Sequence, residues 1–224
     1  MNYYSEKDIR DIVAAVVTRE LGGGTCARRG CPDPIPVEIS ARHVHLTKEA
    51  VETLFGKGYR LTKKRDLSQP GEYLSEERVK LVTGKGEFAN VAVLGPPRPH
   101  VQVELSQTDA RTLGMKLPLK LSGELSGAED ILIIGPKGIL EAKECAMIAR
   151  AHVHMTPADA ERYGVKNGQR LCVRLETERP ITLESVIVRV KDPAKLAMHI
   201  DFDEANAAMV DSSTTGVIVQ VTGE

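Results

Sequence analysis

The stretch HMTPADAERYG, at residues 154–164, contains the unit from which the fold is built: a polar side chain at the end of a strand, a capping threonine and a short helix. ELSQTDARTLG, at residues 104–114, has the same order, with Glu104 in the position of His154. Both have the Ser/Thr-x-x-Asp spacing that begins many helices. His45-Leu-Thr-Lys-Glu-Ala is a looser third copy. The repeat predicts strands that each present one polar side chain before a helix begins.

Around these units, the chain beyond residue 35 consists of short β-branched segments bounded by Gly, Pro or Asp, as strands are. Gly84-Lys85-Gly86 separates two of them as a hairpin turn does. The helices predicted between the strands are brief, at residues 47–56, 107–113, 156–162 and 202–209. The sequence has no regular alternation of strands with long helical crossovers, which disfavours a doubly wound sheet or a TIM barrel. We predict a mainly β fold of small closed barrels with short α-helical caps.

The N-terminal region has a different pattern. Residues 5–21 place aliphatic side chains at helical spacing, with Ser5 and Asp8 as a start signal. A Gly- and Pro-rich stretch follows. We therefore predict an amphipathic helix in residues 1–21 and a linker in residues 22–34. Amphipathicity shows only that one face becomes buried, either against the barrels or against a partner protein.

Composition excludes several classes of protein. A hydrophobic content of 42% and a charged content of 27% are typical of globular proteins. A net charge of −1 and an aromatic content of 4% argue against nucleic-acid and anionic-membrane partners. The sequence has neither an apolar run of roughly 18 residues nor a secretory signal. Four cysteines, too few for a disulfide framework, lead us to expect a cytoplasmic protein.

Histidines indicate a metal site. Four of the six histidines form two His-Val-His segments, at His43 and His45 and at His152 and His154. Alternate residues of a strand point to one face, so each pair can bind one ion, and Glu104 is nominated by its place in the repeat. His199 is either a further ligand or a strand-end histidine bonded to the backbone. Imidazole and carboxylate suit zinc, with Fe²⁺, Co²⁺ and Ni²⁺ as competitors. The set is too large for one catalytic zinc and predicts two ions that share a carboxylate.

A two-metal site attracts anions, and an arginine can hold an anion through two parallel hydrogen bonds. Arg98 lies six residues before Glu104, in GPPRP, and is either a solvated loop residue or an anion ligand. His100 follows a proline in the same loop, and we predict that it lies on the surface. CAMIARAHVHM, at residues 145–155, is one alternating stretch in which Cys145 lies on the face opposite the histidines. We predict that Cys145, and Cys172 in RLCVRLE, belong to the core.

Five segments resemble the PduL-type phosphate acyltransferases of bacterial microcompartments: IPVEISARHVHLT, DLSQPGEY, GPPRPHVQVELS, ARAHVHMTPADA and MHIDFDEANAA. The resemblance runs from about Pro36 to Val221. It implies two β-barrels, one from residues 35–41 and 150–222 and the other from residues 42–149. It also implies a di-zinc site between the barrels and reversible transfer of a short acyl group between coenzyme A and phosphate.

By position, the resemblance assigns a role to each candidate site residue. His43 and His45 would bind one zinc, His152, His154 and His199 the other, with Glu104 as the bridging carboxylate and Arg98 as the phosphate-binding arginine. Ser40 and Asn206 fall in segments that contact coenzyme A in the family. Where this chain has His100, the family usually has a small or basic polar residue, which leaves the role of His100 open.

The resemblance also implies partners. N-terminal helices of many family members act as encapsulation peptides, so residues 1–21 would bind shell or core proteins of a microcompartment, and a homodimer is implied. Two alternatives stay open. A zinc hydrolase would use the same ligands with water as the nucleophile, and a non-catalytic barrel would use the metal for stability only. Arg98 and an open coordination position argue against the second alternative, because structural zinc sites are closed.

Overall fold

A computed structural model describes residues 33–222 of the chain. The predicted N-terminal helix of residues 1–21 and nearly all of the linker in residues 22–34 lie outside the described residues. Every element described below belongs to one compact unit that begins at Pro34. None of the helices in residues 33–222 has the length and apolar character needed to cross a membrane.

The first barrel is a closed ring of six strands that come from both ends of the described chain. Its strands are β1 (Ile35–Ser40), β10 (His152–Met155), β11 (Arg170–Glu176), β12 (Thr182–Val190), β13 (Ala197–Asp201) and β14 (Thr215–Thr222). They follow each other around the ring as β1, β13, β10, β12, β11 and β14, and β14 pairs with β1. Its interior is filled by aliphatic and sulfur-containing side chains, among them Ile35, Met155, Leu171 and Met198.

The second barrel is built from the strands between these two ends. They are β2 (His43–His45), β3 (Lys63–Asp66), β4 (Tyr73–Val82), β5 (Glu87–Gly95), β6 (Gln102–Leu105), β7 (Leu119–Lys120), β8 (Glu129–Ile134) and β9 (Ile139–Ala149). The ring runs through β4, β5, β2, β6, β9 and β8, and β8 pairs with β4 to close it. A separate core that includes Leu46, Leu54, Leu81 and Ile133 fills this barrel.

Four short helices cap the barrels: α1 (Lys48–Phe55), α2 (Gln107–Thr112), α3 (Pro157–Tyr163) and α4 (Phe202–Ala208). Each lies within a residue or two of its predicted position. Between β4 and β5, the Thr83 amide donates to the Gly86 carbonyl at 2.9 Å, which forms the predicted turn. The prediction of a mainly β fold of two small barrels with helical caps is therefore confirmed.

The chain crosses from one barrel to the other at two places, and a His-Val-His strand follows each crossing. One passage separates β1 from β2, and the other separates β9 from β10. Each is only two residues long, and a His-Val-His strand begins directly after it. We expected a single alternating stretch from Cys145 through Met155. Instead, Cys145 belongs to the core of the second barrel, and the histidines of β10 belong to the first.

Candidate metal centre and cleft

Four of the predicted ligands occupy the same place in a strand-to-helix unit, two residues before the residue that caps a helix. The ligand and cap pairs are His45 with Thr47, Glu104 with Ser106, His154 with Thr156, and His199 with Asp201. In each unit the cap's side chain accepts a hydrogen bond from a backbone N–H of the first helical turn, which fixes the end of the strand. The predicted start signals of α2 and α3 are confirmed, since both form reciprocal capping boxes.

Sequence analysis missed the fourth unit, which contains His199. Asp201 and Glu204 form a capping box at the start of α4, with the Glu204 amide donating to Asp201 at 2.8 Å. Asp-x-x-Glu is a variant of the spacing that marked the other units. His199 lies two residues before this cap, so the Asp-x-x-Glu spacing would have placed it in a fourth unit and favoured its interpretation as a candidate ligand.

The first candidate metal group consists of His43, His45 and Glu104, all of which are buried. His43 and Glu104 lie opposite each other on the antiparallel strands β2 and β6. The two Nε2 atoms of His43 and His45 are 3.2 Å apart, and His43 Nε2 lies 3.7 Å from Glu104 Oε2. His43 Nδ1 is 2.8 Å from the Ala41 carbonyl oxygen, which can only accept a hydrogen bond. The ring proton is therefore on Nδ1, and the lone pair of Nε2 points into the group.

The second group consists of His152, His154 and His199 and has the same construction. His152 lies opposite His199 on the antiparallel strands β10 and β13. The Nε2 atoms of His152 and His154 are 3.1 Å apart, and the His154 and His199 ring centroids are 4.8 Å apart. His152 Nδ1 lies 2.9 Å from the Arg150 carbonyl, which again turns the Nε2 lone pair inward.

Both groups fit a divalent transition metal. Zinc–nitrogen bonds of 2.0–2.1 Å in a tetrahedral site put neighbouring ligand nitrogens about 3.3 Å apart, close to the separations of the two Nε2 pairs. Among the described residues, His199 Nε2 is a buried nitrogen that lacks a hydrogen bond, as expected where a lone pair is available to an ion.

The electrostatics keep these side chains in their ligand forms. Burial lowers the pKa of His45 well below its ordinary value, and burial with neighbouring positive charge lowers the pKa of His152 to about 4 and of His154 to about 3. Burial alone would raise the pKa of Glu104, but His43, a Ser122 hydrogen bond and nearby cations hold it below its usual range. At neutral pH the imidazoles of His45, His152 and His154 are therefore neutral and the Glu104 carboxylate is ionised, as metal binding requires.

A cleft of about 800 Å³ lies over both groups. Both barrels contribute to its lining, which includes Ser40, Arg98, Ser122 and Arg189 as well as all six candidate ligands. A volume of this size lies within the range of ligand-binding sites.

The structure brings Arg98 to the cleft. Its backbone N–H donates to the carbonyl of Leu46, the residue after His45, at 2.9 Å. Its guanidinium Nη2 donates to Glu72 Oε1 at 2.6 Å, and its charge contributes to the low pKa values of His45 and Glu104. Arg98 is thus fixed at two points beside the first metal group.

Arg189, a second arginine of the cleft, was not nominated from the sequence. It lies on β12 directly beside His154 of β10, and burial lowers the pKa of its guanidinium. An arginine inside an otherwise aliphatic strand segment, as in SVIVRV, is the signal that was available from the sequence.

Of the two residues proposed to contact coenzyme A, only one lines the cleft. Ser40 lines the cleft at the end of β1, whereas Asn206 is exposed on α4 and is not among the residues that line the cleft. His100 is exposed, and Cys145 and Cys172 are buried, as predicted.

Comparisons with a family model and with individual proteins identify the same family. A family model described as phosphate propanoyltransferase matches residues 36–211. The chain is 49% identical over 214 residues to the phosphate propanoyltransferase of Priestia megaterium, which covers 96% of each chain. It is 47% identical over 187 residues to that of Thermotoga maritima, covering 83% of this chain and 89% of the relative. The resemblance seen in the sequence is confirmed: the chain belongs to the phosphate propanoyltransferase family.

Proposed function

We propose that the protein is a zinc-dependent phosphate acyltransferase. The reaction is acyl-CoA plus phosphate giving acyl phosphate plus free coenzyme A, in either direction, with a short acyl group. The observation that carries the proposal is that two candidate metal groups and Arg98 share one cleft in a chain of this family. A site with two cations and a guanidinium is suited to hold phosphate beside a thioester.

The first group would hold one zinc through His43, His45 and Glu104, and the second would hold another through His152, His154 and His199. The resemblance gives Glu104 a bridging role, and its buried position opposite His43 supports at least its place in the first group. When bound, the ions would polarise the thioester carbonyl and stabilise the departing thiolate.

The protein's own contribution is to bind and orient phosphate. The Glu72 carboxylate holds one edge of the Arg98 guanidinium, so that its remaining N–H groups are oriented before phosphate arrives. Arg189 adds a second positive charge from the other barrel, beside His154. Fixed donors convert the encounter of phosphate and thioester into an oriented reaction, without need for a covalent acyl-enzyme. Cys145 and Cys172 are buried and are not among the residues lining the cleft.

Coenzyme A would enter this cleft past Ser40, at the end of β1. Asn206 would contact it only where the cofactor extends over the outer face of α4. We further propose that the barrels are separate domains with the predicted boundaries, residues 35–41 plus 150–222 and residues 42–149. The proposal extends to a homodimer, and to residues 1–21 binding shell or core proteins and placing the enzyme inside a microcompartment in the cytoplasm.

The decisive test follows thiol release from acetyl-, propionyl- and longer acyl-CoAs with and without phosphate. A phosphate acyltransferase releases thiol only with phosphate and forms acyl phosphate, whereas a hydrolase releases it without phosphate and forms free acid. His154→Gln should abolish turnover, and His100→Gln, an exposed histidine, is the matched control that should retain it. Metal analysis of the active protein should give about two transition-metal ions per chain. Phosphate-independent release would refute the proposal.

A further inference from the structure

The two metal groups are built on matching sets of three strands. In the second barrel, His43 of β2 lies opposite Glu104 of antiparallel β6, and Glu104 lies beside Met147 of parallel β9. In the first barrel, His152 of β10 lies opposite His199 of antiparallel β13, and His199 lies beside a residue of parallel β1.

That residue is Glu38, which therefore occupies the position of Met147. Met147 is fully buried, whereas Glu38 is half-buried and lines the cleft. One of the two matching positions thus carries a carboxylate and the other a thioether. The position of Glu104 in the first group is occupied by His199 in the second. In the second group the carboxylate, Glu38, lies on the next strand, β1.

The contacts of Glu38 aim its carboxylate at the second group. Glu38 Oε2 lies 3.2 Å from His199 Nε2, and the hydroxyl of Ser68 donates to the same oxygen. Ser68 is held in turn, because its neighbour Gln69 exchanges two hydrogen bonds with the backbone of Lys195, at 2.9 and 3.3 Å. These contacts join the loop before β4 of the second barrel to the first barrel.

The side chains of Glu38 and His199 are in close polar contact. His199 Nε2 is buried and has no hydrogen bond of acceptable geometry within residues 33–222, although the Glu38 oxygen is close. A cation bound at His199 Nε2 would therefore lie close to the Glu38 carboxylate as well.

We propose that Glu38 is the counter-charge of the second metal group and raises its affinity for a divalent cation. This inference rests on the proposed function, because it requires a cation at His152, His154 and His199. The three imidazoles of the second group supply no negative charge, and the bridging role proposed for Glu104 leaves a single carboxylate charge for two divalent cations. A carboxylate beside His199 supplies a further negative charge at a distance where it attracts a cation strongly. Carboxylates that act on ligating histidines typically change metal affinity by about 10–100-fold.

The test uses zinc alone with metal-free full-length protein and a chromophoric chelator as the competitor. Glu38→Gln removes the charge and keeps the shape. It should weaken the binding of one zinc by about tenfold or more and leave the other unchanged. In a His45→Gln background, which disables the first group only, the remaining site should show the same loss. Glu87→Gln, an exposed carboxylate of β5 paired with Lys80, is the control and should change neither affinity.

The outcomes separate the two proposals. Unchanged zinc affinities in Glu38→Gln, or an equal loss at both sites, would overturn the role of Glu38, and the second result would indicate general damage. A wild-type protein that binds two zinc ions but releases thiol without phosphate would refute the proposed function and leave the role of Glu38 intact. A wild type without a second zinc would refute the metal centre and the role of Glu38 together.

Discussion

Glu104→Gln should separate metal binding from fold stability. Glu104 is buried, lies 3.7 Å from His43 Nε2, and accepts a hydrogen bond from Gln102, whose amide also donates to Ser122 at 2.9 Å. Glutamine keeps the shape and an oxygen that can accept from Gln102, but it removes the charge and weakens the group as a metal ligand. Because a buried carboxylate without a bound cation carries a desolvation cost, we expect the metal-free variant to be as stable as metal-free wild type, or more so.

With saturating zinc the order should reverse. Loss of a residue that only supports the ligands typically weakens metal affinity by about 10–100-fold. Because Glu104 is proposed to bind the metal directly, we take the upper end of this range for Glu104→Gln. A loss of about 100-fold corresponds to about 2.7 kcal/mol of binding free energy. By linkage this is the difference in metal-induced stabilisation, and for a chain of this size it amounts to about 5–11 °C in Tm.

The assay is thermal unfolding of wild type and variant, each with chelator and with excess zinc. Glu77→Gln provides a matched control, because Glu77 is a buried carboxylate of the same barrel that binds Tyr59 and the Thr62 amide rather than a metal group. It should lower Tm equally with and without zinc. If Glu104→Gln gained as much from zinc as wild type, Glu104 would not be a ligand, and the inference from the repeat would be wrong.

Two further predictions concern the same site, and a third concerns residues 1–21. Arg98→Lys should raise the apparent Michaelis constant for phosphate by about tenfold or more and leave that for acyl-CoA and the metal content unchanged, because lysine cannot reproduce the guanidinium fork; an unchanged phosphate constant would contradict the role of Arg98. Metal-free protein should lose stability as pH falls from about 6.5 towards 4, because His152 (pKa about 4) and His154 (pKa about 3) stay neutral in the folded state but take up protons when unfolded; thermal unfolding against pH should show a flatter profile for His154→Gln, and an equal slope would contradict this. Deletion of residues 1–21 should retain phosphate-dependent thiol release and abolish co-purification with shell proteins, and loss of activity would instead make the segment part of the catalytic body.

The fold was accessible from sequence because its elements are short and individually marked. The hairpin turn at Gly84 to Gly86 and the caps Ser106 and Thr156 carry local chemistry that specifies a turn or a helix start without reference to the rest of the chain. The two residues between β9 and β10, Arg150 and Ala151, include no turn or helix-cap residue that would show where the strand ends. Side chains continue to alternate across Arg150 and Ala151 while the backbone leaves one barrel for the other, so periodicity alone predicted a single stretch.

Some residues of the candidate site were also predictable from local sequence, and others were not. His43, His45, His152 and His154 were nominated by spacing along one strand, which is local information. The places of Arg189 and Glu38 depend on which strand lies beside which, since Arg189 is a neighbour of His154 and Glu38 of His199 only through pairings of β12 and β1. Such pairings across a ring are not encoded in any short window of sequence.

The arrangement of the candidate ligands accounts for the fourfold repeat of one strand-to-helix unit. A ligand two residues before a helix cap sits on the last residues of a strand, where the cap's hydrogen bond fixes the backbone. On the paired antiparallel strands, Glu104 of one unit lies opposite His43, and His199 of another lies opposite His152. His43 and His152 are the first histidines of the two His-Val-His strands, which also carry the unit residues His45 and His154. Each barrel contributes one such pair, and both passages between barrels end at a His-Val-His strand, so the two pairs open onto one cleft. Cap and ligand therefore act together: loss of the Thr156 hydroxyl should loosen the end of β10 and disturb the metal group through His154, although Thr156 is not itself a candidate ligand.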